Sequence, residues 1–285
     1  MAPMGTGTTK RCWVTGAGGL IGHAAVQAAA VPPGWKAVAL SRADLELTDA
    51  AAVAARFRTD RPDAIIHCAA LSRSPDCQRD PALARSWNVE VTLRLAGLAA
   101  EIPFVLLSTD LVFDGSRGNY READAVGPLS VYAETKVEAE AVVCLNPRHL
   151  VARTSLNHGE SPTRNRGFNE EIAAAWRAGR SLRLFVDEYR NPIAATVTAR
   201  AVWELMDRGA SGIVHVAGAE KLSRWEIGIA LAGRHPEGRG LVEAARLSEY
   251  QGAPRAPDTT LDCARARALL GRSLPGYREW LAANP

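Results

Sequence analysis

Short apolar runs alternate with longer helix-like stretches along the first half of the chain. The runs are rich in β-branched residues and comprise Cys12–Thr15, Lys36–Leu40, Ala64–Cys68, Phe104–Leu107 and His149–Val151. The stretches between them are Ile21–Ala30, Ala50–Arg58, Pro81–Ala100 and Glu134–Leu145. Strands that are apolar throughout and separated by helices are typical of parallel βαβ units whose sheet is covered on both faces. The pattern predicts an α/β fold with a doubly wound parallel sheet.

The second half of the chain keeps these element types but separates them with longer polar loops. Strands are expected at Leu182–Val186 and Ile213–Val216, and helices near Val197–Met206, Trp225–Leu231 and Cys263–Leu270. We expect residues 1–155, together with about 193–217, to form a nucleotide-binding domain. Residues from about 156–192 and 218–285 are expected to form a smaller C-terminal substrate-binding lobe.

Composition places the chain among ordinary globular proteins. Its 285 residues include 34 Lys+Arg and 31 Asp+Glu, and no basic block of the kind that nucleic acids or anionic membranes attract. Five scattered cysteines form no CxxC pair, which argues against a disulfide framework or a zinc site. The uncharged segment 12–35 is broken by glycines and a Pro-Pro pair, unlike a membrane span. We therefore expect a cytoplasmic protein without a metal, a nucleic-acid partner or a membrane contact.

A glycine-rich turn follows the first predicted strand and opens the first predicted helix, with the sequence Thr-Gly-Ala-Gly-Gly-Leu-Ile-Gly over residues 15–22. Gly16 would allow the sharp turn, Gly19 the close approach of a pyrophosphate, and Gly22 close packing of helix and sheet. The helix N-terminus at Leu20 and Ile21 would attract the anion. Together these features predict a Rossmann-type dinucleotide site.

The end of the second strand indicates which dinucleotide binds. Ser41 and Arg42 stand there, and no carboxylate occurs before Asp44. A carboxylate at this place would accept hydrogen bonds from the ribose of NAD, whereas an arginine pairs with the 2′-phosphate of NADP. The sequence therefore favours NADP(H) over NAD(H).

Tyr132 and Lys136 are four residues apart at the start of a predicted helix, which places them on one face. An unperturbed tyrosine is a poor acid or base at neutral pH, because its pKa is near 10. A neighbouring ammonium favours the phenolate and lowers that pKa, so that the phenol can exchange a proton with a carbonyl or hydroxyl group. Lys136 is also one of only four lysines in a chain that otherwise uses arginine.

Two other strand ends carry residues suited to the same crevice. Ser108 and Thr109 end an apolar strand, and a hydroxyl there can hydrogen-bond the oxygen of a reacting carbonyl. Ala69 and Ala70 follow the third strand and are small enough to let a nucleotide approach.

The motifs together resemble those of an extended short-chain dehydrogenase/reductase, and within that superfamily the dTDP-4-dehydrorhamnose reductase family. The superfamily features are the glycine turn, Asn88 and the Tyr132–Lys136 pair. The family features are the segments 108–115, 120–122, 128–132, 187–192 and 255–262. The resemblance covers nearly the whole chain, in order.

The resemblance implies NAD(P)H-dependent reduction of the C4 keto group of a nucleotide-linked 6-deoxy-sugar. Thr109, Tyr132 and Lys136 would be the catalytic residues, with Tyr132 and Lys136 also contacting the cofactor beside Asn88. Apart from the resemblance, Arg190 and Arg255 stand in the loop-rich segments 156–192 and 219–262 and could pair a pyrophosphate bidentately. We therefore expect them, with Asn157, to join Ser108 and Thr109 in binding substrate. A homodimer is compatible with the sequence.

Other functions on the same fold stay open. A 4,6-dehydratase would carry Glu where Leu111 stands, and a 4-epimerase usually has an acidic residue after the second strand. The regulatory subunit of methionine adenosyltransferase resembles the same family but acts by binding a partner. The nucleotide and the sugar stereochemistry of the substrate are not determined by these motifs.

NADPH is expected to bind more tightly than NADH, because Arg42 can meet the 2′-phosphate. Titrating the protein with both cofactors measures this preference, and Arg42→Ala should weaken NADPH binding. Equal affinities for the two cofactors, or unchanged NADPH binding by the variant, would remove the basis for the preference.

Overall fold

A six-stranded parallel sheet forms the centre of the computed structural model, which describes residues 9–30 and 32–284. The strands in chain order are β1 Lys10–Thr15, β2 Trp35–Leu40, β3 Ala64–His67, β4 Phe104–Thr109, β5 Leu150–Thr154, β6 Asn157–His158, β7 Leu182–Phe185, β8 Tyr189–Arg190, β9 Ile193–Ala194, β10 Gly212–Val216, β11 Leu222–Ser223 and β12 Val242–Ala245. The large sheet has the order β10-β5-β4-β3-β1-β2. The strand order reverses between β1 and β3, and ligands of such sheets bind beyond the carboxyl ends of the strands at this point. The predicted fold class is confirmed.

Helices connect the strands. They are α1 Leu20–Gln27, α2 Ala50–Asp60, α3 Ser74–Arg79, α4 Pro81–Arg85, α5 Val91–Leu98, α6 Val131–Cys144, α7 Phe168–Arg177, α8 Ala195–Asp207, α9 Arg224–Ala232, α10 Ala264–Leu270 and α11 Tyr277–Ala283. The single helix expected over Pro81–Ala100 is interrupted by a π-helical segment at Ser86–Glu90. Among the described residues, no helix combines the length and the apolar character needed to cross a membrane.

The two faces of the sheet bury separate apolar clusters. One cluster packs α1 and α8 against the sheet, and Trp203 of α8 donates its indole N–H to the Ala25 carbonyl at 2.8 Å. The other packs α2, α5 and α6, with Trp13, Ile65 and Phe104 fully buried. Burial on both faces explains why the strand sequences are apolar throughout.

Three two-stranded sheets lie outside the large one, pairing β6 with β9, β8 with β11, and β7 with β12. Sequence patterns missed most of them, because two-residue strands carry no periodicity. Two of these pairs, β8 with β11 and β7 with β12, join residues 182–190 to 222–245. The division into a nucleotide-binding domain and a C-terminal lobe stays a prediction.

The glycine turn brings three backbone segments into close contact. Gly16 adopts φ +68°, and a Cβ there would lie 2.7 Å from the Ala69 nitrogen. A Cβ on Gly22 would lie 2.2 Å from the Gly16 carbonyl oxygen. Neither contact has room for a methyl group, so α1 can approach the turn only because both residues are glycine.

Gly22→Ala should lower the free energy of unfolding by about 1–3 kcal/mol, because α1 must move away from the Gly16 carbonyl. Gly97→Ala in α5 is the matched control: a Cβ there meets nothing within 4 Å, and alanine should stabilise the helix by about 0.5–1 kcal/mol. Urea unfolding of both variants measures the difference, and equal effects would contradict the close contact.

Candidate active site

The glycine turn leaves the first turn of α1 open to an anion. Gly19 is the N-cap, no side chain caps the helix, and its first turn holds no acidic residue. The amide groups of Leu20 and Ile21 belong to this turn, where an α-helix offers no internal acceptor. A Cβ on Gly18 would meet only the Ser41 side chain, at 3.9 Å. These features fit the pyrophosphate of a dinucleotide.

Folding brings a carboxylate to the end of β2, beside Ser41. Asp44 folds back so that its carboxylate accepts hydrogen bonds from the Ser41 amide at 2.9 Å and hydroxyl at 2.5 Å. These bonds lower the pKa of Asp44. The Arg42 guanidinium lies over the Trp87 ring, 4.5 Å from its centroid. A cation and a carboxylate therefore both stand where NAD(H) and NADP(H) differ, and the NADP(H) preference stays a prediction.

Asn88 holds the loop after β3 against α6. Its side chain accepts a hydrogen bond from the Leu71 amide at 2.8 Å, and donates to the Leu71 carbonyl and to Thr135 Oγ1. These bonds engage both the oxygen and the nitrogen of the buried Asn88 side chain. Asn88 therefore fixes the position of the loop that contains Ala69 and Ala70. The Ala69 amide is held in turn by Thr15 Oγ1 at 3.3 Å.

Thr109, Tyr132 and Lys136 meet at the carboxyl end of β4. Ser130 caps α6 through the Ala133 amide, and Tyr132 lies in the first turn of that helix. Lys136, one turn later, donates from Nζ to the Leu107 carbonyl at 2.7 Å, two residues before Thr109. The Thr109 side chain lies close enough to Tyr132 to act on the pKa of its phenol. The structure thus brings together the three residues predicted to be catalytic.

Burial controls the protonation of this group. It raises the pKa of Tyr132, and the negative charge of Asp110 raises it further, while the nearby Thr109 side chain acts in the opposite direction. Burial also lowers the pKa of Lys136 to about 8, opposed by the carboxylate of Glu140. The Tyr132 phenol is therefore protonated at neutral pH in this structure. Such a group suits proton donation to a developing oxyanion.

Ser108 and Asn157, which were predicted to contact the substrate, form hydrogen bonds within the protein. Ser108 precedes Thr109 on β4 and so points to the opposite face of the sheet, where its hydroxyl donates to Glu140 Oε1 at 2.5 Å. Asn157 donates to Thr154 Oγ1 and accepts from Thr198 Oγ1 at 2.7 Å, which links the end of β5 to α8. Both side chains hold the framework of the site in this structure.

The two predicted arginines face carboxylates. Arg255 forms a bidentate pair with Glu188, at 2.7 and 2.9 Å. Arg190 lies 3.1 Å from Glu188 and 3.7 Å from Asp110, and is only 7% exposed. Their guanidinium groups are thus already engaged with buried anions.

Arg224 stands beside the same cluster and was not singled out from the sequence. Its guanidinium makes no side-chain hydrogen bond or ion pair within residues 9–30 and 32–284, and it lies over the Phe168 ring. Burial lowers its pKa, and Glu188 and Asp110 act against that effect. The spacing of Arg224 in the sequence carries no signal, because only folding brings the first turn of α9 next to Asp110.

Comparison with known proteins assigns the family. Residues 10–284 match the model of the RmlD substrate binding domain. The chain belongs to this family. A relative in Haloferax volcanii, described as a probable low-salt glycan biosynthesis reductase Agl14, is 30% identical and is covered over 82% of its length by 84% of this chain. The dTDP-4-dehydrorhamnose reductase of Sinorhizobium fredii is 29% identical, with 94% of each chain covered.

The chain is also similar to proteins with other names. Methionine adenosyltransferase 2 subunit beta of Bos taurus is 29% identical to this chain, over 93% of it and 84% of the relative. A solved dTDP-4-dehydrorhamnose reductase from Clostridium acetobutylicum superposes with a TM-score of 0.86 at 24% identity, covering 96% of this chain and 97% of the other. The predicted family and the expectation of an NAD(P)H-dependent oxidoreductase are confirmed.

Proposed function

We propose that the protein uses NADPH, in preference to NADH, to reduce the C4 keto group of a nucleotide-linked 6-deoxy-sugar. The observation that carries the proposal is the convergence of Thr109, Tyr132 and Lys136 at the end of β4, with Tyr132 kept as a protonated phenol. The dTDP-4-dehydrorhamnose reductase relatives support the substrate class.

The residues of the glycine turn, the end of β2 and the loop after β3 would hold the cofactor. When bound, the reduced nicotinamide supplies the hydride that adds to the carbonyl carbon. The Tyr132 hydroxyl gives its proton to the carbonyl oxygen, so that a C4 hydroxyl forms, and the phenolate is reprotonated from solvent. Thr109 hydrogen-bonds the same oxygen, and the Lys136 ammonium stabilises the negative charge left on Tyr132.

Arg224 is the arginine best placed to bind the diphosphate of the substrate. The cluster holds Arg190, Arg224 and Arg255 against Asp110 and Glu188, which leaves one positive charge in excess. Arg190 and Arg255 would then orient the cluster, as an extension of the substrate-binding role expected for them. Asn157 and Ser108 would support the same pocket from behind.

Tyr132→Phe is expected to lower kcat by about 10²–10⁴-fold while NADPH binding persists, because the variant keeps the ring and loses the hydroxyl group that donates the proton. Thr109→Val should reduce kcat by about ten- to a hundredfold, near the value of one hydrogen bond. The assay follows NADPH consumption with a panel of nucleotide-linked 4-keto sugars.

Near-normal ketosugar reduction by Tyr132→Phe would overturn the proton-donor role. A native protein that binds NADPH but reduces no member of the panel would instead support the regulatory function, which the methionine adenosyltransferase relatives illustrate.

Arg224→Met should raise the KM for the nucleotide sugar by about ten- to a hundredfold with little change in kcat, since a charge-assisted bond to the diphosphate would be lost. Arg239→Met is the control, because that arginine is exposed on the same lobe. An unaltered KM in Arg224→Met, measured by steady-state kinetics, would refute the diphosphate contact.

A further inference from the structure

Helix α6 carries three functional groups at four-residue intervals: Tyr132, Lys136 and Glu140. The proposed function uses the first two and assigns nothing to Glu140. That carboxylate is only 4% exposed, although it lies beyond the reacting groups. Burying a carboxylate is costly unless its charge is compensated. Glu140 therefore needs an explanation.

Glu140 lies at the centre of a buried network that joins α6 to two strands. Arg153 of β5 donates from Nε to both of its oxygens, at 3.0 and 3.1 Å, and from Nη2 to Oε2 at 2.7 Å. Ser108 of β4 donates to Oε1 at 2.5 Å. The Arg153 side chain is only 3% exposed and stacks on Phe113. The carboxylate thus fixes the position of α6 along the sheet.

Lys136 is hydrogen-bonded to the same stretch of β4. Its ammonium donates to the Leu107 carbonyl at 2.7 Å, and the next residue, Ser108, binds Glu140. Two successive residues of β4 are therefore tied to two successive turns of α6, immediately before Thr109. A shift at Glu140 would move Lys136 and Tyr132 relative to Thr109.

Glu140 is also a source of negative charge near the Lys136 ammonium. The groups that face Lys136 at the end of β3 are His67 and the next residue, Cys68. Both are neutral, because burial lowers the pKa of His67 to about 3 and raises that of Cys68 to about 12. Tyr132, on the same helix, is a neutral phenol. Glu140 is the first of the groups that favour the charged form of Lys136, against the effect of burial.

Glu140 itself is faced by charged or titratable groups on two strands and on its own helix. These are Arg153 on β5, His215 on β10, and Tyr132, Lys136 and Cys144 on α6. Burial lowers the pKa of His215 and raises that of Cys144, so both are neutral near pH 7. Arg153 is the cation that compensates the carboxylate.

We propose that Glu140 is a positioning residue of the reductase, which sets the place and the positive charge of Lys136 through its network with Ser108 and Arg153. The proposal rests on the proposed function only for the roles of Lys136 and Tyr132. Its physical content, the dependence of the Lys136 charge on Glu140, is measurable without substrate.

Lysine Nζ and Cε NMR titration tests this dependence directly, since the chain has only four lysines and Lys136→Met identifies the signal. Glu140→Gln should lower the titration midpoint of Lys136 by about one pH unit or more, because an opposite charge is removed from a buried ammonium. Glu138→Gln is the control: it lies on the same helix, is partly exposed and paired with Arg85, and should leave the midpoint unchanged. An unchanged midpoint in folded Glu140→Gln would overturn the proposal.

Glu140→Gln leaves Arg153 buried without a counter-charge, which destabilises a protein. The double variant Glu140→Gln with Arg153→Met removes both charges and should recover much of the stability lost by the single variant. Its Lys136 midpoint should lie between those of the single variant and the native protein, because Arg153 no longer adds an uncompensated positive charge. Return of the midpoint to the native value would mean that Glu140 serves only as the partner of Arg153, and would refute its effect on Lys136.

Kinetics separates the proposal from the proposed function. The fall of ketosugar reduction at alkaline pH should move to lower pH in Glu140→Gln, in step with the NMR midpoint. Ser108→Ala keeps both charges and should lower kcat about tenfold without moving that midpoint; an unchanged kcat would refute the positional half of the proposal. If the native protein reduces no ketosugar, the proposed function fails and the NMR result alone decides the role of Glu140.

Discussion

The carboxylate of Asp110 is the constraint on which the two parts of the molecule depend. It follows Thr109 at the end of β4 and is 4% exposed. Its Oδ2 accepts hydrogen bonds from Ser155 at 2.6 Å and from Thr259 at 3.0 Å, and it faces Arg190. One side chain thus ties the large sheet to segments of the C-terminal region. Because a buried carboxylate must keep such partners, these segments cannot move independently of the active site.

The same carboxylate affects the chemistry. Together with burial, Asp110 raises the pKa of Tyr132 and so favours the phenol over the phenolate. The sequence had suggested the opposite, a lowered pKa caused by Lys136. Lys136 does have the expected spacing from Tyr132, but burial lowers the pKa of Lys136 and so disfavours its charged form. A protonated donor is what a reductase requires at the start of its reaction, so the observed direction agrees with ketone reduction.

The arginines illustrate where sequence interpretation ends. Arg190 and Arg255 were predicted from their type and their loop-rich surroundings, and folding places Glu188 between them. Arg224 had no distinguishing pattern, yet its guanidinium lacks a hydrogen-bonding partner among the described residues. Pairing between distant residues depends on which loops pack together, and a linear sequence does not contain that information.

The sequence alone determined the parallel sheet, the dinucleotide turn and the Tyr132–Lys136 pair, because each depends on local order. Apolar runs, glycines at fixed intervals and four-residue helical spacing determine local structure over a few residues. They do so whichever distant segments pack against them. The tertiary structure decided which partners Ser108, Asn157 and Glu140 bind within the protein, and which arginine keeps a guanidinium without a hydrogen-bonding partner among the described residues. Such contacts join residues that are far apart in the chain. Asp110 and Thr259, for example, are 149 residues apart. Burial and neighbouring charge set protonation and hydrogen bonding, and both exist only once the chain has folded.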